Sequence, residues 1–328
     1  MQMRKAILGG LVVGFVAAVA AAAQAVPHTM HSVVTPEVTL GYEVLGSPVQ
    51  RGTIHGRTIQ GGALPMIAVN GGPGLSHVYM VQNNMWDKVA AHRMVVFYDQ
   101  RGTGASKKMQ PGAAMTMDAQ VADLEAVRAA AGLDKFALVG DSYGGFLGMA
   151  YALAHPEHVA KLILSDAAGP SYQGMVRILQ DVFPDIQEQA AAEEKALGGD
   201  TEAAAQAGLR SHFRMIFYSL EKEQAYMAKA KDIGYVPKVA RAVGQAGSDV
   251  DFTAKLPTLT MPTLVLSGRW DMNVAPLTAW RIAKAIPGAK IIFFEKSGHL
   301  PSYEEPMLYQ KVLEEFLDGR TPATAAAK

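Results

Sequence analysis

The sequence predicts an α/β fold: a mostly parallel sheet flanked by helices and interrupted by an inserted helical cap. Three observations carry this. Short strand-like runs alternate with helical ones at both ends of the chain, the order that parallel sheets produce. The alternation stops between residues 170 and 255, which are rich in Ala, Glu, Gln and Met and hold no strand-like run bounded by turns. A small-residue turn, "GDSYGG" (Gly140 to Gly145), joins a strand-like run directly to a helix-like one.

The elements follow in order. "VTLGYEVLG" opens the strand series, and "LPMIAVN" (Leu64 to Asn70) and "RMVVFYDQ" (Arg93 to Gln100) read as buried strands. In "TMDAQVADLEAVRAAAGL" the apolar residues Met117, Val121, Leu124 and Val127 recur at helical spacing, with Asp118 near the N-terminus. "KFALVGDS" is the next strand, "YGGFLGMAYALAH" the next helix and "KLILSDAAG" (Lys161 to Gly169) another strand. The cap, residues 170–255, contains helical stretches such as "HFRMIFYSLEKEQAYMAKA". The rhythm then resumes with the strand "PTLVLSGRWD", the helix "PLTAWRIAKAI", the strand "AKIIFFEKSGH" and a closing helix, "PMLYQKVLEEFLDG". Residues 26–169 and 256–328 thus form one core, and residues 1–25 stand apart from it.

That first segment has a charged start, "MQMRK", an apolar run and small residues, "AQA", at Ala23 to Ala25. This is the pattern of a secretory signal peptide cleaved after Ala25, so a periplasmic or secreted protein without stable membrane association is expected. With no cysteine in the chain, lipid attachment there, disulfides and thiolate metal sites are all excluded. Thirty basic residues balance thirty acidic ones, so no global field favours nucleic acid, and a small peptide or small molecule is the expected partner.

Three loops follow strands at their C-terminal ends, where open α/β sheets place their sites. Gly140-Asp141-Ser142-Tyr143-Gly144 fits G-x-S-x-G between a strand and a helix, which makes Ser142 the candidate nucleophile. A serine hydroxyl needs a base to take its proton and a third group to hold the base. His299, in the loop between the last strand and the last helix, is the candidate base, with His77 as its rival. Asp271 follows a strand and precedes His299, giving the chain order Ser, Asp, His, and Asp166 is the alternative acid. Asp141, next to the nucleophile in sequence, reads as a surface or supporting carboxylate. In "NGGPG" (Asn70 to Gly74) the backbone N–H of Gly72, rather than that of Gly71, would join that of Tyr143 in an oxyanion hole. No H-E-x-x-H, P-loop lysine or dinucleotide fingerprint occurs, so neither metal nor cofactor is expected.

"NGGPG", "DQRGTGAS" (Asp99 to Ser106), "GDSYGG" and "SGH" resemble the α/β-hydrolase fold family, and the first two together are most similar to its proline iminopeptidase branch of serine aminopeptidases. The resemblance spans the chain beyond its first segment. It implies release of N-terminal proline or a similar residue through an acyl-enzyme, without a cofactor. The branch's first motif begins with histidine, where this chain has Asn70. Asp99 and Arg101 are similar to the family's loop-bracing pair. The same machinery would serve an esterase or lactonase, and a non-catalytic small-ligand receptor is the third reading. In an aminopeptidase a carboxylate must meet the substrate's amino group. The cap offers Glu188, Glu193, Glu194, Glu202, Glu221 and Glu223 for this, and Phe213, Phe217, Tyr218, Tyr226 and Tyr235 as apolar lining.

Overall fold

The computed structural model describes residues 25–46, 63–199, 201–230 and 233–322. Apart from Ala25, the expected signal segment lies outside them. Eight strands form one sheet: β1 (His28–Val34), β2 (Thr39–Leu45), β3 (Met66–Val69), β4 (Val95–Tyr98), β5 (Phe136–Asp141), β6 (Val159–Ser165), β7 (Thr263–Gly268) and β8 (Lys290–Phe294). Their spatial order is β1-β2-β4-β3-β5-β6-β7-β8. β2 runs antiparallel to both neighbours, and every other pairing is parallel. β3, β4, β5 and β7 are buried at every residue, as their unbroken apolar runs require of strands covered on both faces. β1 has no such run. It is almost wholly exposed and is held by its pairing along β2.

Outside the cap the helices are α1 (Met85–Ala90), α2 (Met117–Ala130) and α3 (Tyr143–Ala154), and, after the cap helices α4 to α8, α9 (Pro276–Ala285), α10 (Pro301–Glu304) and α11 (Pro306–Leu317). Alternate strand residues feed two cores. On one face Ile67, Val96, Leu138 and Leu164 meet Leu124 of α2, Phe146 of α3 and Ile282 of α9. On the other, Ala68, Phe97, Val139 and Ile163 meet Trp86 of α1 and Val312 and Phe316 of α11.

The cap consists of α4 (Leu179–Val182), α5 (Pro184–Ala196), α6 (Glu202–Met215), α7 (Leu220–Lys229) and α8 (Pro237–Gly247). Its two connections to the core lie side by side, joined by a bridge between Ser171 and Asp251 and by the Phe252 N–H donating to Pro170 O at 2.9 Å. The stretch His212 to Ala230 is two helices, because α6 stops at Met215 and α7 restarts after its N-cap, Ser219. The break comes from tertiary bonding. Ile216 O accepts the N–H of His299 at 2.7 Å, while the Tyr218 and Ser219 N–H groups turn to the Glu304 carboxylate at 3.0 and 2.9 Å.

Candidate active site

Ser142 sits where β5 ends and α3 begins, at φ 53° and ψ −117°, a strained conformation that pushes its side chain out of the turn. The glycines around it are a packing necessity. A Cβ on Gly140 would run into Gly144 O, and one on Gly144 would run into Val69 O. The Ser142 N–H donates to Ser165 O at 2.9 Å, which ties the turn to β6.

His299 reaches this serine from the loop after β8. Its Nε2 lies 2.9 Å from Ser142 Oγ and its Nδ1 2.6 Å from Asp271 Oδ2. Asp271 is fully buried, and its other oxygen accepts the N–H groups of Asn273 and Val274 at 2.9 and 2.8 Å. The carboxylate is therefore oriented before it meets the imidazole. Burial draws the His299 pKa down, but the charge and hydrogen bond of Asp271 outweigh it and leave the pKa above its ordinary value. With Nδ1–H donating to Asp271, the Nε2 lone pair faces the Ser142 hydroxyl as the nearer donor, with Asn273 Nδ2 also beside it at 3.2 Å.

The alternative residues fall elsewhere. Asp166 is buried beside the pair, with ligand atoms of Asp166, Asp271 and His299 all within 4.8 Å. Its own partners, however, are the Gly268 N–H at 2.8 Å and the Ser165 hydroxyl at 3.1 Å. Burial, reinforced by the Asp271 charge, raises its pKa well above its ordinary value. His77 has both ring nitrogens committed to carboxylates, Nδ1 to Asp99 at 2.9 Å and Nε2 to Glu43 at 3.0 Å. Asp141 is buried, not on the surface, and accepts a short hydrogen bond from the Tyr79 hydroxyl. Burial lifts its carboxyl to about 6, against the opposing effects of His299 and Tyr79.

Tyr79 also engages one of the two candidate glycine amides. Its hydroxyl accepts the Gly71 N–H at 2.7 Å, so that amide is occupied, whereas Gly72 and Tyr143 line the cavity beside Ser142. Asn70 braces the same loop: its Nδ2 donates to Gly71 O and Leu75 O, both at 2.9 Å. A neutral imidazole offers one N–H, whereas a carboxamide nitrogen offers two, so Asn70 pins two points of the loop. Asp99 and Arg101 brace separate places. Asp99 holds His77, and Arg101 grips Asp123 through Nε and Nη2 at 2.6 and 2.8 Å.

Several site residues carry no local sequence signal. Glu304, buried under the loop, accepts the Gly298 N–H at 2.6 Å on one oxygen and the Tyr218 and Ser219 N–H groups on the other. It joins the cap's helix break to the histidine loop. Burial pushes its carboxyl up to about 7, opposed by the three N–H groups.

Over Ser142 the cap roofs a partly open cavity of about 1130 Å³. Of the six cap glutamates, Glu194 and Glu202 line it; Glu223 is buried but away from the lining, and Glu188, Glu193 and Glu221 are exposed outside it. Phe213 and Tyr235 line it too, whereas Phe217 and Tyr226 pack in the core and Tyr218 stacks on Trp270 at 5.8 Å. His212, half-buried on the cavity wall, is kept neutral, its pKa drawn down to about 3 by burial and by the charges of His299 and Arg177.

Residues 65–306 match the family model described as alpha/beta hydrolase fold. A proline iminopeptidase of Lactobacillus delbrueckii subsp. bulgaricus is 31% identical over 270 residues, 77% of this chain and 89% of that protein. One of Saccharolobus solfataricus is 30% identical over 275 residues, 79% of this chain and 86% of that one. Among solved structures, an esterase from Rhodococcus sp. ECU1013 superposes with a TM-score of 0.69 at 22% identity, covering 90% of this chain and 99% of its own. The chain belongs to the α/β-hydrolase fold family, and within it to the proline iminopeptidase-like hydrolases.

Proposed function

We propose that the chain is a serine aminopeptidase that releases N-terminal proline, or a similar residue, from peptides. In this reading Ser142 Oγ attacks the first carbonyl carbon while His299 Nε2 takes its proton. The oxyanion forms against the Gly72 and Tyr143 N–H groups, a stabilisation of about 3 to 4 kcal/mol per donor. As the C–N bond breaks, His299 returns the proton to the departing amine. Water, deprotonated by the same nitrogen, then attacks the acyl-enzyme carbonyl and frees Ser142. Asp271 holds the imidazole and stabilises its cationic form.

The observation that carries the aminopeptidase reading is the pair Glu194 and Glu202 on the cap wall of the cavity that contains Ser142. Neither carboxylate forms an ion pair among the described residues; their charges bear on Tyr235, as does that of Arg241, which lines the cavity together with Lys238. A substrate ammonium would supply the direct ion-pair partner that these carboxylates lack. The test is hydrolysis of prolyl arylamide against its N-acetyl derivative. We expect the free amine to be preferred roughly tenfold to a hundredfold, less than a fully buried pair commands because Glu202 is exposed. Glu194→Gln should shrink the preference. Equal rates, or rapid cleavage of short acyl esters without arylamide cleavage, would point to an esterase instead.

A further inference from the structure

The wall of the cavity nearest His299 carries a charge of the opposite sign. Arg177, between β6 and α4, lines the cavity, and its Nη2 donates to Asn273 Oδ1 at 3.1 Å. The Nδ2 of the same carboxamide lies 3.2 Å from His299 Nε2. The guanidinium bond fixes which end of Asn273 faces the imidazole, since only Oδ1 can accept from Arg177. The guanidinium thus stands two hydrogen bonds from the nitrogen that hands its proton to the leaving group. Among the described residues it has no carboxylate partner, although its charge acts on His299, His212 and Tyr172, all on the cavity wall.

We propose that Arg177 binds a carboxylate carried by the leaving group, so that the preferred substrates are dipeptides whose second residue ends in a free α-carboxylate. This rests on the aminopeptidase reading and names its substrate class. In a dipeptide one carbon separates the scissile nitrogen from the carboxylate carbon, which brings the carboxylate into the region beside His299 where Arg177 stands. A guanidinium has five N–H donors in a planar fork suited to that group, and one of them is already spent on Asn273. Glu194 and Glu202, with Asp181 of α4, bring carboxylates to the same cavity, so it offers both signs of charge that a zwitterion presents. The bound carboxylate has a second effect. An unneutralised Arg177 opposes protonation of His299, and the substrate's own anion removes that opposition as the imidazolium forms. Lys238 and Arg241 also line the cavity, but they lie on α8, and Arg241 acts on Tyr235.

The experiment compares kcat/KM for prolylglycine and prolylglycinamide, read by release of glycine or glycinamide. Wild type should favour the free acid by roughly 10- to 100-fold, the range expected of a charge-assisted hydrogen bond. Arg177→Met should bring the ratio close to one, Arg177→Lys should keep part of it, and Arg241→Met should leave it in place. A wild-type ratio of one overturns the proposal whether or not the Arg177 variants fold, and so does a preference that survives Arg177→Met or disappears with Arg241→Met. If neither peptide is cleaved, the aminopeptidase reading has failed, and acetoxyacetate against acetoxyacetamide decides Arg177 separately. Preference for the acid then upholds carboxylate binding in the leaving group, and equal rates overturn it.

Discussion

Among the described residues two histidines are buried, and each has a carboxylate on Nδ1. They differ in what meets Nε2. At His77 it is a second carboxylate, Glu43, and although burial opposes the charge, Asp99 and Glu43 together raise the pKa to about 9. That ring is a fixed cation in a brace between β2 and the loops after β3 and β4. At His299, Nε2 meets the Ser142 hydroxyl and the Asn273 amide, and Arg177 adds a positive charge nearby. One carboxylate orients this ring and favours its cation, while the serine remains as the partner for proton exchange. Burial and a carboxylate are common to both sites, so it is the second nitrogen's partner that separates a base from a strut.

Substitution at the two rings should separate these roles most sharply. Ser142→Ala and His299→Ala should each lower kcat by roughly four to six powers of ten, with the double variant little worse than either, because nucleophile and base act as a unit. Near wild-type turnover in His299→Ala with loss in His77→Ala would reverse the assignment. The carboxylates come next. Asp271→Asn should cost about four powers of ten in kcat through loss of imidazole orientation. Asp166→Asn, which changes a carboxyl that does not bond His299, should cost far less. Steady-state rates at several pH values check both, and a larger loss at Asp166 would move the orienting acid to the β6 loop.

How much of this was legible depended on how local each signal was. Gly140, Ser142 and Gly144 lie within five residues, and the strain and close packing that demand them are fixed by one strand-to-helix turn, so the elbow could be read directly. Asp271 and His299 were readable because each follows a strand at the same edge of the sheet. The helix break at Ile216 to Ser219 was not readable. Its own residues continue a helical pattern, and what stops them is the His299 N–H on Ile216 O and a carboxylate, Glu304, 85 and 86 positions away from the amides it binds. Arg177 and Tyr79 were missed for the same reason, since Arg177 bonds Asn273 and Tyr79 bonds Asp141 on distant segments, and only Gly71 lies on the same loop as Tyr79. β1 escaped notice because an exposed edge strand has no need of an apolar run. Choosing two of six glutamates required the cap's fold, since all six lie on polar helical stretches of similar composition.

The smallest expected effect sharpens the comparison from the side of stability. His77→Gln removes the cation from between Asp99 and Glu43, and breaking a buried pair of this kind costs about 3–5 kcal/mol. It should lower Tm while leaving the chemistry of the folded fraction intact. The pH dependence carries the finer test. The folded pKa of about 9 lies above the unfolded value near 6.5. The ring's contribution is therefore complete below about pH 6.5 and lost as pH rises through 9. Asp99 and Glu43 are shifted the other way, Asp99 by His77 against the effect of burial and Glu43 chiefly by its hydrogen bond to His77. Their contribution is lost only in acid, as pH falls through their lowered values. His28, which shares Glu43 at 2.9 Å, stands outside the brace and is more exposed. Between pH 6.5 and 9 wild-type stability should fall with a slope of no more than about 1.4 kcal/mol per pH unit for this one proton. His77→Gln should be less stable throughout and flatter over that window. Urea unfolding at pH 6, 7.5 and 9 measures both slopes. Parallel slopes in the two proteins would mean that His77 is not the cation holding the brace, and its contrast with His299 would then have to rest on geometry alone.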